Sequence, residues 1–324
     1  MKTSKQDRTI EPSRRGFLVP MLWTAIALLI LALAALLSSA RLAPKEEVGA
    51  AYPLLNPLRK FIRSEDLIVN FQPLREYLND TYESDPGVSV YFEYLPTGAN
   101  ISISKDAEFF PASLLKLPVA MAAIMKIQRG EWKWQNELVL MAGDKDDRFG
   151  DLYKDPIGTR YTIEELVRKT LVESDNTSYY ILLRNLETSE LEEVYDHLGL
   201  QDFFAKDGKI SAKRYAVVLR SLYQGAYLSP ENANKALEML SETRFDDYLQ
   251  NRLPKDVRFA HKIGVSDEDG VFMDAGIVYL DGRSYILIVM TSGKGESDAK
   301  GIMDDISDKV YRYVTGYKAV DKES

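Results

Sequence analysis

The chain of 324 residues has no cysteine and only two histidines, His197 and His261. The first absence removes disulfides, thiolate nucleophiles and every cysteine-bearing zinc site, and the second leaves too few imidazoles for a histidine-rich metal centre. No metal and no cofactor is expected. Asp144, Asp146, Asp147 and Asp151 fall close together, but their spacing matches no calcium-loop template, so they read as a solvated acidic loop. Basic charge is scarce too. There are 41 lysines and arginines against 49 acids, a formal net charge of -8. Lys2, Lys5, Arg8, Arg14 and Arg15 all sit before the seventeenth residue, so the rest of the chain is more acidic still. Such a surface repels phosphate backbones and gains nothing from counterion release, which excludes nucleic acid as a partner.

The composition, 45% hydrophobic and 28% charged, is that of a globular protein. One apolar run stands out. Phe17 to Leu37 carries no charge and is long enough to cross the hydrocarbon core as a helix. The basic residues before it keep residues 1–16 in the cytoplasm as a tail and put everything after Arg41 outside. The expectation is a single-pass membrane protein whose catalytic domain is extracytoplasmic. Ser13-Arg14-Arg15-Gly16-Phe17-Leu18 also resembles a twin-arginine export signal, and Ser38-Ser39-Ala40 offers small residues for cleavage, so a cleaved leader is the alternative to a retained anchor. Residues 41–65, with Pro44, Pro53 and Pro57 and no apolar period, read as a linker. Residues 66–317 then form the folded domain, and 318–324 a tail.

Val88, Val90, Phe92 and Tyr94 alternate with Ser89, Tyr91 and Glu93, and Pro96-Thr97-Gly98 turns the chain into Ile101 and Ile103, which predicts a hairpin. A second hairpin runs from Val271 to Leu280 and from Tyr285 to Thr291 around Asp281-Gly282. A last helix carries Ile302, Ile306, Val310 and Val314 on one stripe. Leu114 to Arg129, Ile163 to Val172, Thr177 to Leu186 and Ala212 to Tyr223 read as helices between the hairpins. The fold expected is α+β: an antiparallel sheet built from N- and C-terminal segments, flanked by helices, with a helical subdomain.

Ser-x-x-Lys occurs at Ser102/Lys105, Ser113/Lys116 and Ser297/Lys300. The first pair ends a strand, where residues three apart point to opposite faces. The third lies in a polar stretch with nothing to bury it. Ser113 instead opens an almost wholly apolar helix whose first charge is Lys116. Either that lysine snorkels to water, or its burial lowers its pKa and makes it a general base one turn from Ser113. The N–H of Ser113 at a helix start suits a developing oxyanion. Ser174-Asp175-Asn176 follows a helix begun by the capping box Thr162 to Glu165, and on its own reads equally as an interhelical turn. Lys262-Ile263-Gly264 precedes the closing hairpin, at the start of an edge strand.

Taken in order, these three motifs resemble the penicillin-recognising serine hydrolases, most closely class A β-lactamases and related D,D-peptidases. Ser113 and Ser174 are about sixty residues apart, as in that family. Leu117-Pro118-Val119 is similar to it as well. The resemblance implies that Ser113 is the acylated nucleophile and Lys116 its base. Ser174 would relay a proton to the leaving nitrogen, and Asn176 would hold Lys116 and the substrate amide. Lys262 would add positive potential near Ser174 and the substrate carboxylate, Gly264 would belong to the substrate-binding set, and the N–H groups of Ser113 and Val265 would form the oxyanion hole. Phe149 or Tyr153 would supply an aromatic gate. The partner implied is a β-lactam or a peptidoglycan stem peptide.

Three departures qualify that picture. Ile263 stands where the family has a hydroxyl residue, removing one carboxylate contact. No basic residue occurs between Gly264 and Ile277, and Asp267, Glu268, Asp269 and Asp274 there would oppose an anionic substrate. From Gly199 to Ala212 there is no room for the long loop whose glutamate activates the deacylating water, and Asp202 and Asp207 suit turn roles. Acylation is therefore expected to outrun deacylation. The alternative is a non-catalytic β-lactamase-like binding protein of the cell envelope. A Ser-His-Asp hydrolase would need His261 as its base, and no Gly-x-Ser-x-Gly elbow is present.

Overall fold

The chain is described here from a computed structural model over residues 52–55, 67–203 and 208–317. The expected membrane segment, the export signal and most of the expected linker lie outside these residues. Among the described residues no helix is long and apolar enough to cross a membrane.

Helix α1 (Gln72–Tyr82) starts with a proline in its first turn, where the missing N–H is harmless, and leads into strands β1 (Val88–Tyr94) and β2 (Ala99–Ile103). Strands β5 (Arg258–Ser266), β6 (Val271–Tyr279) and β7 (Tyr285–Thr291) come near the C-terminus, before helix α8 (Glu296–Gly316). All five strands form one antiparallel sheet in the order β2-β1-β7-β6-β5. The N-terminal hairpin joins the C-terminal strands through β1 and β7, with Val88 opposite Thr291 and Tyr94 opposite Tyr285. The α+β fold is therefore as the sequence indicates.

Alternation along β1 suggests one wet face, yet every residue of that strand is buried. Val88, Val90, Phe92 and Tyr94 pack with α1 and α8 on one side of the sheet. The opposite face carries Ser89, Tyr91 and Glu93, and it too is covered, by helix α6 (Ala212–Gln224). The polar side chains there are satisfied internally: Tyr91 Oη donates to Glu93 at 2.7 Å, and Arg220 Nε from α6 donates to the same carboxylate at 3.0 Å. A buried carboxylate survives because it is paired and hydrogen-bonded.

The helical part lies between the hairpins. It holds α2 (Lys116–Gln128), the short pair β3 (Glu137–Val139) and β4 (Arg160–Thr162), α3 (Ile163–Val172), α4 (Asn176–Arg184), α5 (Thr188–His197), α6 and α7 (Pro230–Leu240). Helix α2 is buried along most of its length and forms the centre of this core. Part of the expected linker belongs to the fold. Leu54 is buried, its N–H donates to Asn234 Oδ1 at 3.1 Å, and its carbonyl accepts from Tyr279 Oη at 2.9 Å. An apolar side chain with both backbone groups satisfied is a docked strap, not a free spacer.

Candidate active site

Ser113 lies on a 3-10 turn, Ala112–Leu115, that runs directly into α2, so Lys116 and not Ser113 opens the α-helix. Ala112 takes a left-handed φ of 45°, a strained conformation for a residue with a Cβ. The turn is fixed from two sides. Tyr215 Oη of α6 donates to the Leu114 carbonyl at 3.0 Å, and β5 packs on the turn through Gly264. A Cβ at Gly264 would come within 2.8 Å of the Pro111 oxygen and 3.2 Å of Leu114 Cγ, so only glycine permits this approach.

Lys116 does not snorkel; it is 3% exposed. Its Nζ stands 3.0 Å from Ser113 Oγ, 3.0 Å from Ser174 Oγ and 2.5 Å from Asn176 Oδ1, and it also donates to the Ser174 carbonyl. Desolvation pushes its pKa down to about 7, against the opposing pull of Asp175 and Asp146. A neutral amine has two N–H groups and one lone pair. The carbonyl of Ser174 and Oδ1 of Asn176 can only accept, so they take the two N–H groups and leave the lone pair for a serine hydroxyl. That is the hydrogen-bonding state of a base.

Ser174 precedes α4 with a left-handed φ of 54°, which brings its carbonyl and its hydroxyl to the same nitrogen, Lys116 Nζ. Lys262 reaches that hydroxyl from β5, with Nζ at 2.8 Å from Ser174 Oγ and 3.2 Å from the Ile263 carbonyl. It sits in the middle of the strand rather than at its start. Burial, and then Lys116, push its pKa well down. Burial and the neighbouring Lys116 amine thus both disfavour the charged form of Lys262 and oppose the positive potential expected of it.

Asp175 reads as a turn residue and acts as one. It caps α4 by accepting from Ser178 N at 2.6 Å. Its other oxygen accepts from Asp151 N at 2.7 Å and Leu152 N at 3.0 Å. Gly150, at φ +89°, makes room for that carboxylate, whose Oδ2 lies 1.9 Å from where a Cβ would stand. The loop so held presents the Phe149 carbonyl to Asn176 N at 3.0 Å and the Phe149 ring to Lys116 Nζ at 5.9 Å. Of the two expected gate residues, Phe149 is at the site, while Tyr153 lies beneath the Lys154 ammonium. Sequence reasoning missed Phe245, which meets Phe149 edge to face at 6.3 Å and lies 6.0 Å from Lys262 Nζ.

It also missed Asp146, whose carboxylate accepts from Asn176 Nδ2 at 2.7 Å. Asp144 is buried against Arg184, with Arg184 Nε donating to it at 2.8 Å. The acidic run expected to be solvated is thus partly structural. Each of Asp144, Asp146 and Asp151 has its own cation, Arg184, Arg148 and Lys154. Among the described residues, no group of acids and histidines is arranged to hold a metal ion.

One further expectation needs correction. Asp274 does not face the site; it is opposite Ile263 in the ladder, on the reverse face of the sheet. There its carboxylate is hydrogen-bonded to His261 Nδ1 at 2.8 Å and accepts from Leu249 N at 3.1 Å. Its charge is spent on a buried pair, so only Asp267, Glu268 and Asp269 remain exposed near the end of β5. Ile263 points to the same reverse core, which is why it is apolar. His261 and Lys262 are chain neighbours on opposite faces, and the imidazole takes no part in the Ser113 cluster.

Val265 follows Gly264 on β5, the outer strand, where alternate N–H groups have no partner strand. In the connection from Gly199 to Ala212, Phe203 stacks on Tyr195 with centroids 5.1 Å apart, and Ile210 bridges to Phe109. Asp202, the acid there among the described residues, pairs with Arg214. Asp207 lies outside the described residues.

A serine hydroxyl against a lysine of suppressed charge, on this α+β fold, places the protein among the serine hydrolases. Residues 73–314 match the family described as the beta-lactamase enzyme family, and the chain belongs to it. It is 25% identical over 243 residues to the β-lactamase VEB-1 of Pseudomonas aeruginosa, covering 66% of this chain and 80% of that protein. The fold is similar to that of PBP-A, with a TM-score of 0.68 at 23% identity over 76% of this chain and 97% of that one. It is equally similar to a β-lactamase of Sphaerobacter thermophilus, with a TM-score of 0.69 at 21% identity over 77% and 99%.

Proposed function

We propose that Ser113 is acylated by β-lactams or peptidoglycan stem peptides outside the cytoplasm, and that the acyl-enzyme hydrolyses slowly. The observation that carries this reading is the position of Lys116 Nζ, 3.0 Å from both Ser113 Oγ and Ser174 Oγ with a pKa near 7. Lys116 takes the Ser113 proton as Oγ attacks the carbonyl carbon. The N–H groups of Ser113 and Val265 hold the oxyanion, a contribution of about a hundredfold or more in rate. When the C–N bond breaks, Ser174 gives its proton to the leaving nitrogen and is reprotonated from Lys116. Lys262 is bonded to the same hydroxyl, and a substrate carboxylate beside it favours its charged form.

Slow deacylation is supported by Asp202, which is tied to Arg214 in the short connection where the family's water-activating glutamate would be carried. A mutant of PBP-A forms an acyl-enzyme complex with penicillin G, which supports the same substrate class here. The extracytoplasmic, membrane-anchored location rests on the apolar run Phe17 to Leu37 and the basic residues before it.

The test is intact-mass spectrometry of the full-length protein after exposure to a penicillin, beside Ser113→Ala. A lasting adduct on the native protein alone is expected. An adduct that disappears within minutes with release of product would overturn slow deacylation, and the same adduct on Ser113→Ala would remove the nucleophile assignment.

A further inference from the structure

We propose that Asp146 is a positioning residue for acylation: its carboxylate holds Nδ2 of the Asn176 amide and so turns Oδ1 toward Lys116. This inference rests on the acyl-enzyme reading above. An asparagine amide can flip, and its two ends have opposite hydrogen-bonding character. At Asn176, Oδ1 accepts from Lys116 Nζ at 2.5 Å while Nδ2 donates to Asp146 Oδ1 at 2.7 Å. The flipped amide would set its oxygen against a carboxylate that can only accept, so Asp146 selects one orientation. Lys116 alone does not, because a neutral amine tolerates a donor or an acceptor.

Asp146 is itself held rigidly. Its N–H donates to Thr177 Oγ1 at 3.0 Å, and Thr177 Oγ1 donates back to its carbonyl at 3.2 Å. Arg148 Nε donates to its Oδ1 and Oδ2 at 3.1 and 3.0 Å. With Arg148 and the amide as partners, the carboxyl stays ionised, its pKa held down to about 2, so the orienting charge is present at every working pH. The linkage runs Arg148, Asp146, Asn176, Lys116, from the surface of the loop to the base. Thr177 lies next to Asn176 on α4, so loop and helix are fastened at the point where the amide is set.

Asp146 has two effects on Lys116 that can be separated. Lys116 is faced by Ser113 of its own turn, Ser174 and Asp175 before α4, Asn176 of α4, Lys262 of β5, and Asp146, Arg148 and Phe149 of the loop. Asp146 raises the Lys116 pKa through space, and the oriented Oδ1 favours the protonated amine by accepting from it. Asp146→Asn removes the charge and frees the amide. Both changes move the Lys116 pKa down, and only the second depends on Asn176.

The experiment is a double-mutant cycle of Asp146→Asn and Asn176→Ala in the full-length protein. Lys116 is titrated by NMR of 13Cε-labelled lysine, and the penicillin acylation rate is followed against pH. Asp146→Asn should lower the plateau acylation rate about tenfold to a hundredfold and shift its acid limb to lower pH, with Asp146→Glu recovering part of the rate. In the Asn176→Ala background the same substitution should change the plateau less than about twofold and keep only the through-space part of the titration shift. A rate loss of equal size in both backgrounds, or a loss with no movement of the Lys116 titration, would overturn the positioning role. If the native protein takes no penicillin adduct, the acyl-enzyme reading fails by itself, and the titration arm of the cycle still decides whether Asp146 acts on Lys116 through Asn176.

Discussion

Lys116 and Lys262 approach one hydroxyl, Ser174 Oγ, from α2 and from β5, at 3.0 Å and 2.8 Å. Both are buried, burial lowers the pKa of each, and Lys116 lowers that of Lys262 further. The first consequence concerns rate. Lys116 must be neutral to take the Ser113 proton, so penicillin acylation is expected to rise about tenfold per pH unit below pH 7 and to level above it. Stopped-flow acylation across pH 5.5 to 9 checks this; a rate that falls as pH rises through 7 contradicts it.

Stability should follow pH in the same window. Folded Lys116 titrates near 7, whereas an unfolded lysine titrates at about 10.4. Between those values the unfolded chain binds a proton that the folded chain does not, so stability rises with pH from 7 to about 10. Thermal melts of the native protein should show the rise. Lys116→Met, with no amine to protonate, should show a shallower one.

Gly264→Ala would press a methyl group onto the Pro111 carbonyl and Leu114, separating β5 from the Ser113 turn. A stability loss of about 1–3 kcal/mol is expected from overpacking, with acylation reduced about a hundredfold as the oxyanion donors move apart. Melting temperature and adduct formation, measured on one preparation, separate the two effects. Full activity in the variant would remove Gly264 from the site.

Phe149 and Phe245 close over the two lysines, so Phe149→Ala or Phe245→Ala should admit water. Less desolvation raises the Lys116 pKa and moves the acid limb of acylation to higher pH. The limb position in each variant is the measurement. A limb that stays in place would mean that the rings do not shield the amines.

His261→Ala would leave Asp274 buried without its partner, at a loss of about 3–5 kcal/mol. Because the imidazole lies on the reverse face of the sheet, the fraction that folds should still be acylated at Ser113. Denaturant unfolding and adduct stoichiometry per folded protein test this. Complete inactivation of folded protein would reinstate a histidine base.

The parts of this molecule that could be read from its sequence are those set by local pattern. The alternation in β1 and the Asp281-Gly282 turn located both hairpins, and the burden of placing a lysine in the apolar run of α2 singled out Ser113/Lys116 from three copies of the pattern. Ser102 and Lys105 indeed end β2 and the turn after it, and Lys300 is engaged on the surface with Asp247 and Glu296. What could not be read depends on distant chain segments meeting. Nothing local marks Asp146 as a partner of Asn176, or Phe245 as a neighbour of Phe149. Asp274 looked like one more surface acid because its partner His261 is reached across a strand pair and not along the chain. Gly150, between an aromatic residue and an acid, was the one local signal left unused; a positive φ there is what admits the Asp175 carboxylate.

The pairing of β1 with β7 has a consequence for biosynthesis. β1 is among the first strands made, and β7 among the last, with almost the whole domain between them. Until β7 is complete, one edge of β1 remains an open template and the sheet that carries Lys262 has nothing to rest on. The five-stranded sheet therefore cannot be completed progressively from its N-terminus, because its central strand is supplied last. A chain stopped before Tyr285 would therefore carry every residue of the Ser113 cluster and still have no site.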